Sequence, residues 1–216
     1  MIVTIDGPAG AGKSSAAKLL ARRLGFRFLD TGAMYRAVAL GATRTHCDLR
    51  SDTELTRLIS TLHLEMPGEQ VVLNGEDVSS LLRSPEITAA TGPVADNKAV
   101  RRQLVAWQRA IAAGRNMVSE GRDQGTIVFP DAECKFFLTA EPEARAIRRH
   151  RELSMRDPAI TLEAVLRAQE IRDARDDARD IAPMVPARDA IVMDTTPLTI
   201  DEVVAKMEAV AVSRRD

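Results

Sequence analysis

Residues 2–6 read Ile-Val-Thr-Ile-Asp, and the next eight, Gly7-Pro8-Ala9-Gly10-Ala11-Gly12-Lys13-Ser14, satisfy the phosphate-loop pattern G-x-x-x-x-G-K-[ST]. A short apolar strand that runs straight into such a loop leaves few architectures open, because the motif needs a strand before it and a helix after it. The helix is legible: from Ser15 to Leu24 the small and apolar residues Ala17, Leu20, Ala21 and Leu24 fall on one face, and Gly25 ends it. Each residue type in the loop has a physical job. Glycines at 7, 10 and 12 allow turns closed to β-carbons, so that consecutive N–H groups point at phosphate oxygens. Lys13 offers a cation to the β- and γ-phosphates, Ser14 offers a hydroxyl to Mg²⁺, and the helix start adds its positive end. The loop as a whole, from Gly7 to Ser14 with Ser15 behind it, is expected to hold ATP. A chance glycine-rich turn is the alternative, and the flanking strand and helix argue against it.

At 216 residues the chain suits one α/β domain with a modest insert. Its formal charge is -1, so no global field recruits nucleic acid or an anionic membrane, and basic chemistry has to be local. Cys47 and Cys134 lack C-x-x-C spacing, which argues against a zinc site or a disulfide framework and for buried thiols in a reducing compartment. Met1 opens a core strand with no basic segment before it, and no apolar run approaches a membrane span, so a cytoplasmic protein is expected.

Further along, Phe26-Arg-Phe-Leu29 reads as a second strand, and Asp30-Thr31-Gly32 as a turn and cap before a helix over 33–43. Ser51-Asp-Thr-Glu54 is a capping-box pattern ahead of Leu55, Leu58, Ile59 and Leu62 at helical spacing. Leu62–Met66 then alternates, Pro67-Gly68-Glu69 turns, and Val71–Leu73 resumes before Asn74-Gly75. That is a small antiparallel element, foreign to a parallel core, and residues 60–90 are read as an insert. Pro85 after Ser84 marks a helix start, and a longer helix runs over about 98–113. Strands at 117–120, 134–138 and 190–193, a basic helix over 141–151, a charged helix from Thr161 to about Arg179, and a closing helix with Ile200, Val203, Val204 and Met207 on its buried face complete the chain. Core strands near residues 2, 27, 118, 136 and 191 alternate with helices, which predicts an α/β fold with a five-stranded parallel sheet covered on both faces. Ligands in such sheets sit at the carboxyl ends of the strands, so the residues after each strand are the ones to read.

Three clusters there carry chemistry beyond the phosphate loop. In Asp30-Thr31-Gly32-Ala33-Met34-Tyr35-Arg36, the arginine can offer its fork to a phosphate; alone, it would be read as a surface arginine. In Glu120-Gly121-Arg122-Asp123-Gln124-Gly125-Thr126, two glycines around an Arg-Asp pair suggest a ligand-facing turn rather than a solvated one. Arg172, Asp176 and Arg179 share a helix face, a pattern that solvated ion pairs also produce. Taken with an ATP loop, several arginines after core strands point to a small anionic acceptor.

Together the blocks T-I-D-G-P-A-G-A-G-K-S, D-T-G-A-M-Y-R, E-G-R-D-Q-G-T-I-V-F-P-D-A and R-D-x-x-D-x-x-R-x-I-A-P, in this order, resemble the bacterial cytidylate (CMP) kinase family over essentially the whole chain. The second and third blocks are far more specific than the first. The resemblance implies a nucleoside-monophosphate-kinase fold: a core over 1–59 and 91–216, an acceptor-binding insert over 60–90 and a lid over about 141–160. It implies an enzyme that moves the γ-phosphate of ATP to CMP or dCMP with Mg²⁺, acts as a monomer and needs no nucleic acid or membrane partner. By the same resemblance Lys13, Arg122 and Arg179 serve the transfer itself. Arg36 and Arg122 hold the acceptor phosphate with Thr31 nearby, and Arg101 and Asp123 read the cytosine edge. Arg172 and Asp176 contact the ribose, and Arg179 approaches the phosphates. Arg148, in the basic segment with Arg145 and Arg149, faces ATP. The roles make chemical sense, since cytosine shows an amine donor to an acid and N3/O2 acceptors to a guanidinium. One departure stands out: where relatives often carry a serine against the base, this chain has Gly92, with Thr91 beside it. Two other readings are a small-molecule phosphate-loop kinase with another acceptor, such as UMP, and a non-catalytic nucleotide-binding switch.

Overall fold

In the computed structural model, which describes residues 1–155, 157–177 and 183–215, the opening strand β1 (Ile2–Asp6) is buried on both faces, with Val3, Ile5 and Thr4 each 0% exposed. Strands buried in this way belong in the middle of a helix-covered sheet. With β2 (Arg27–Asp30), β3 (Leu64–Glu65), β4 (Val72–Leu73), β5 (Glu76–Asp77), β6 (Met117–Glu120), β7 (Cys134–Thr139) and β8 (Ile191–Asp194) following in chain order, the parallel sheet is ordered β2-β6-β1-β7-β8. β1 runs parallel to β6, with Ile5 opposite Glu120, and parallel to β7, with Asp6 opposite Phe137. β7 in turn runs parallel to β8. The central position of β1 puts the loop that follows it beside the ends of both β6 and β7.

The chain divides into two compact units, one of Met1–Phe26 with Asn116–Asp216, the other of Arg27–Arg115. In the first, α1 (Lys13–Leu24) packs on β6 and on α8 (Ile200–Ser213). α6 (Pro142–Ser154) packs on α7 (Leu162–Asp177). The buried stripe of α8 is Val203, Val204, Met207 and Ala211; Ile200, expected among them, is 38% exposed because it opens the helix before that stripe begins. The helix start is held by a reciprocal capping box between Thr199 and Glu202.

In the second unit, α2 (Thr31–Arg44), α3 (Asp52–Thr61), α4 (Pro85–Asp96) and α5 (Lys98–Ala112) pack on one another. Here β3, β4 and β5 form the small antiparallel sheet, in that order. β4 and β5 are joined by Asn74 and Gly75, both at positive φ (51° and 85°), the geometry a two-residue hairpin favours. Arg44 grips Glu76 through two bonds of 2.6 and 2.8 Å, tying the hairpin to α2. α2 starts at Thr31, earlier than the pattern suggests, because Asp30 accepts the Ala33 N–H and caps it directly. At α3 the box is half formed: Ser51 accepts from the Glu54 N–H, while the Glu54 carboxylate turns to the Asp48 N–H instead.

Gln108 on α5 is 1% exposed, and both its amide nitrogen and its oxygen lack partners among the described residues. A buried amide with no bond carries its full desolvation cost, so Gln108→Met, close in volume, is expected to raise unfolding free energy by about 1–2 kcal/mol in denaturant titrations. A loss of similar size would show that the amide is satisfied in solution.

Candidate active site

The loop after β1 passes close to β7. At Gly7 (φ 134°) a β-carbon would lie 2.0 Å from the Leu138 carbonyl oxygen, so no other residue fits there. At Gly10 (φ 80°) it would meet the β-carbon of Arg145 at 2.9 Å. Gly12, left-handed at φ 86°, sets the start of α1, whose first two residues are Lys13 and Ser14. The loop is braced from α6 and from the segment after β8. Arg145, buried, donates to the carbonyl oxygens of Ala9 at 3.0 Å and Ala140 at 3.0 Å, and pairs with Asp173 of α7 at 2.6 Å. Arg148 donates to the Thr195 hydroxyl at 3.0 Å and its carbonyl at 2.5 Å; that hydroxyl lies 3.2 Å from the Ala11 carbonyl oxygen.

Lys13 is 5% exposed, and its ammonium donates to the Pro8 carbonyl at 2.6 Å. Burial holds its pKa well below the ordinary lysine value; the charges of Arg122 and Arg172 push the same way, and Glu120 and Asp6 push back. The net effect disfavours the charged form of Lys13, which an anion arriving beside it would stabilise. Ser14 donates its hydroxyl to buried Glu120 at 2.9 Å. A hydroxyl and a carboxylate side by side are hard oxygen donors of the kind Mg²⁺ takes when phosphates and water complete its shell.

Glu120 ends β6, and the chain then turns through Gly121, Arg122 and Asp123 into a single π-helical turn over Gln124–Val128. There the Asp123 carbonyl accepts from both Ile127 (2.9 Å) and Val128 (3.2 Å), and Gln124 accepts from Phe129 (2.7 Å). Such turns recur where a helix is widened to place a side chain. The segment is fastened to β1 at both ends: Gly121 donates to the Ile5 carbonyl at 3.0 Å, and Gln124 and Gly125 donate to the two Asp6 carboxylate oxygens at 2.8 and 2.7 Å. Asp123 is 4% exposed. Asp6, 5% exposed, has its pKa pushed up to about 7, chiefly by burial and also by Asp123, against the two N–H bonds and Lys13. The structure therefore brings Lys13, Ser14, Glu120, Arg122, Asp123 and Asp6 to the carboxyl ends of β1 and β6. Arg172 on α7 is near enough for its charge to weigh on Lys13. Asp176 lies on the same helix, and Arg179 lies outside the described residues.

In the second unit, Thr31 is 3% exposed at the start of α2, and the Arg36 guanidinium folds back over Gly32, where a β-carbon would come 3.3 Å from its Nη1. Arg101, 7% exposed on α5, donates to the Ala95 carbonyl at 3.2 Å and lies 5.7 Å from the centre of the Tyr35 ring. The α5 start that orients it is capped by Asn97, whose amide also reaches Asp52 at 2.8 Å. Thr91, beside Gly92, spends its hydroxyl proton on the Ile87 carbonyl of its own helix at 2.6 Å.

Sequence reasoning did not give roles to Asp6, Glu120, Arg145 or Thr195. For Arg145 a signal was available, since its spacing of three from Arg148 puts both on one helix face; for Thr195 there was none.

Residues 3–212 match the family model described as cytidylate kinase. A protein named cytidylate kinase from Rhodopirellula baltica is 46% identical over 203 residues, covering 94% of this chain and 89% of that protein. Another from Citrifermentans bemidjiense is 46% identical over 218 residues, covering 99% and 94%. A crystal structure of an uncharacterized protein from Eubacterium ventriosum, 11% identical, aligns over 99% of both chains with a TM-score of 0.54, a likeness of fold alone. On the family model and these relatives, the chain belongs to the cytidylate kinase family.

Proposed function

We propose that this protein transfers the γ-phosphoryl group of ATP to CMP and dCMP, giving ADP and CDP or dCDP. The observation that carries the reading is the turn after β6. It holds an arginine beside a buried acid, Arg122 and Asp123, and is bonded to the very strand that launches the ATP loop. A nucleotide switch has no use for an acceptor-binding pair, one arginine for a second phosphate and one acid for a base, next to its phosphate loop.

In this reading the loop of residues 7–14, through the N–H groups of every residue but Pro8, cradles the ATP phosphates with Lys13 and Ser15, and Arg148 holds the donor side. Arg36 and Arg122, with Thr31, hold the CMP phosphate. Arg101 and Asp123 read cytosine, Arg172 and Asp176 the ribose, and Arg179 the phosphates. Residues 60–90 serve as the acceptor-binding insert and about 141–160 as the lid, which together keep water from the γ-phosphate. A CMP phosphate oxygen attacks the γ-phosphorus in line; the bond to the bridging oxygen breaks, and its electron pair leaves on ADP. The transition state is loose, so positioning and charge neutralisation by Lys13, Arg122 and Arg179 do most of the work, and no general base is needed. Mg²⁺ would be held by Ser14 with Glu120 behind it and would draw charge off the β- and γ-phosphates. Among the described residues no group of three or more His, Cys, Asp or Glu side chains is placed to cage a metal. No helix among them is long and apolar enough to cross a membrane. We take the enzyme to act as a cytoplasmic monomer.

ATP labelled at its γ-phosphorus tests the proposal. With CMP present the label is expected in CDP. Label released as inorganic phosphate at the same rate with and without CMP would favour the switch.

A further inference from the structure

Asp6 is the last residue of β1 and directly precedes Gly7, yet its side chain does not face the ATP loop's backbone. Its two oxygens instead accept the N–H groups of consecutive residues Gln124 (2.8 Å) and Gly125 (2.7 Å). One residue earlier on the strand, the Ile5 carbonyl accepts the Gly121 N–H at 3.0 Å. Arg122 and Asp123 are thus the only two residues between two fastenings to neighbouring positions of one strand. A third tie closes the turn from within, the Ser119 hydroxyl donating to the Gln124 amide oxygen at 2.7 Å. Gly125 sits close against side chains of β1 and β7, for a β-carbon there would lie 3.0 Å from the Thr4 hydroxyl oxygen and 3.3 Å from the Lys135 side chain.

The choice of side chain is chemically narrow. Two adjacent N–H groups need two acceptor atoms on one short stem. Asparagine has one acceptor and would set its NH₂ against the second N–H; glutamate is a methylene too long for a site 5% exposed. Keeping a carboxylate in so buried a place is costly, and a purely apolar contact would hold a strand to a turn with less expense.

We propose that Asp6 is a positioning residue for the acceptor: through the Gln124 and Gly125 N–H groups it sets where Arg122 and Asp123 stand relative to the ATP loop. It touches neither nucleotide and acts through the turn. The inference rests on the reading of Arg122 and Asp123 as CMP contacts. It adds that acceptor specificity depends on the strand belonging to the donor side, so that both ends of the transfer line are fixed by residues 5–7.

The test compares the parent protein with Asp6→Asn, Gly125→Ala, Asp123→Ala and Thr4→Val, reading CMP and UMP kinetics, ATP affinity by titration, and amide hydrogen exchange at Gln124 and Gly125. Asp6→Asn is expected to raise the CMP KM by about tenfold or more, to narrow the CMP-over-UMP preference and to speed exchange at both amides, with ATP affinity within about twofold. Thr4→Val removes a buried hydroxyl on the same strand that has no partner among the described residues, and should change none of these. Gly125→Ala reads the same clamp from the other side by crowding the Thr4 hydroxyl and the Lys135 side chain beside the second N–H, with amide exchange at Gly125 reporting whether the clamp has loosened, so it decides the matter if Asp6→Asn does not fold. Folded Asp6→Asn or Gly125→Ala protein with unchanged CMP KM and unchanged CMP/UMP ratio overturns the proposal. Equal loss of ATP and CMP affinity overturns it too, since Asp6 would then serve the fold or the ATP loop. If Asp123→Ala damages CMP use and the clamp variants do not, the proposal fails and the functional reading stands. If Asp123→Ala is also silent, the reading of the turn itself fails.

Discussion

Lys13→Ala is expected to lower the turnover number by about a hundredfold to a thousandfold or more, the scale seen when one preorganised charge is taken from a transition state. Three features make the effect large. Lys13 is the first residue of α1, so its position follows from the helix start rather than from a mobile loop. It is almost wholly buried, in surroundings where a charge interacts more strongly than in water. And burial and the nearby Arg122 and Arg172 charges disfavour its charged form, which the negative charge of an arriving phosphate would stabilise. The truncation removes a buried group already disfavoured as an ion, so the variant should melt within a few degrees of the parent, with roughly unchanged ellipticity. Steady-state turnover with a thermal melt on the same sample checks both halves. Near-normal turnover in the folded variant would refute the assignment of the loop.

Asp123→Ala is expected to act on the other substrate. Asp123 is 4% exposed and sits in a turn whose backbone is fastened on both sides, so the place of its Cα is set before any ligand arrives. A site built to bond a particular group discriminates strongly against ligands that lack it, and the converse holds when the site's own acceptor is removed. The CMP KM should rise by about a hundredfold, with ATP KM within about threefold. The π-helical turn should survive, because its bonds use the Asp123 carbonyl, which alanine keeps. Asp123→Asn is the sharper variant. An amide can donate to the carbonyl of uracil where the acid accepts from the amine of cytosine, so the CMP/UMP ratio should fall further than CMP use alone. Equal shifts in both nucleotides' KM values would make Asp123 a structural turn residue.

Much of this was legible in the chain before any coordinates, and for identifiable reasons. The ATP loop is a local motif whose glycines have no substitute, so one stretch of residues specifies strand, turn and helix start together. The antiparallel sheet announced itself through a change of period and an Asn-Gly turn. Asp30 and Ser84 mark helix starts because capping is read over three residues. What the sequence concealed are contacts between distant residues. Nothing near Asp6 says that its partners lie 118 and 119 positions away, and nothing near Ser14 says that Glu120 accepts its hydroxyl. The π-helical turn escaped because Gln-Gly-Thr-Ile-Val carries no helix signal of its own and is imposed by its fastenings to β1. Ile200 misled because periodicity gives a face and not where along the helix burial begins.

The central claim is that this protein phosphorylates a nucleoside monophosphate chosen by its cytosine edge. The most direct measurement is kcat/KM for CMP, dCMP, UMP, AMP and GMP with saturating ATP, each corrected for hydrolysis in the absence of acceptor. CMP and dCMP are expected to exceed UMP by about tenfold or more and the purine monophosphates by more than that. Equal use of all five acceptors, or ADP release that no monophosphate accelerates, would contradict it.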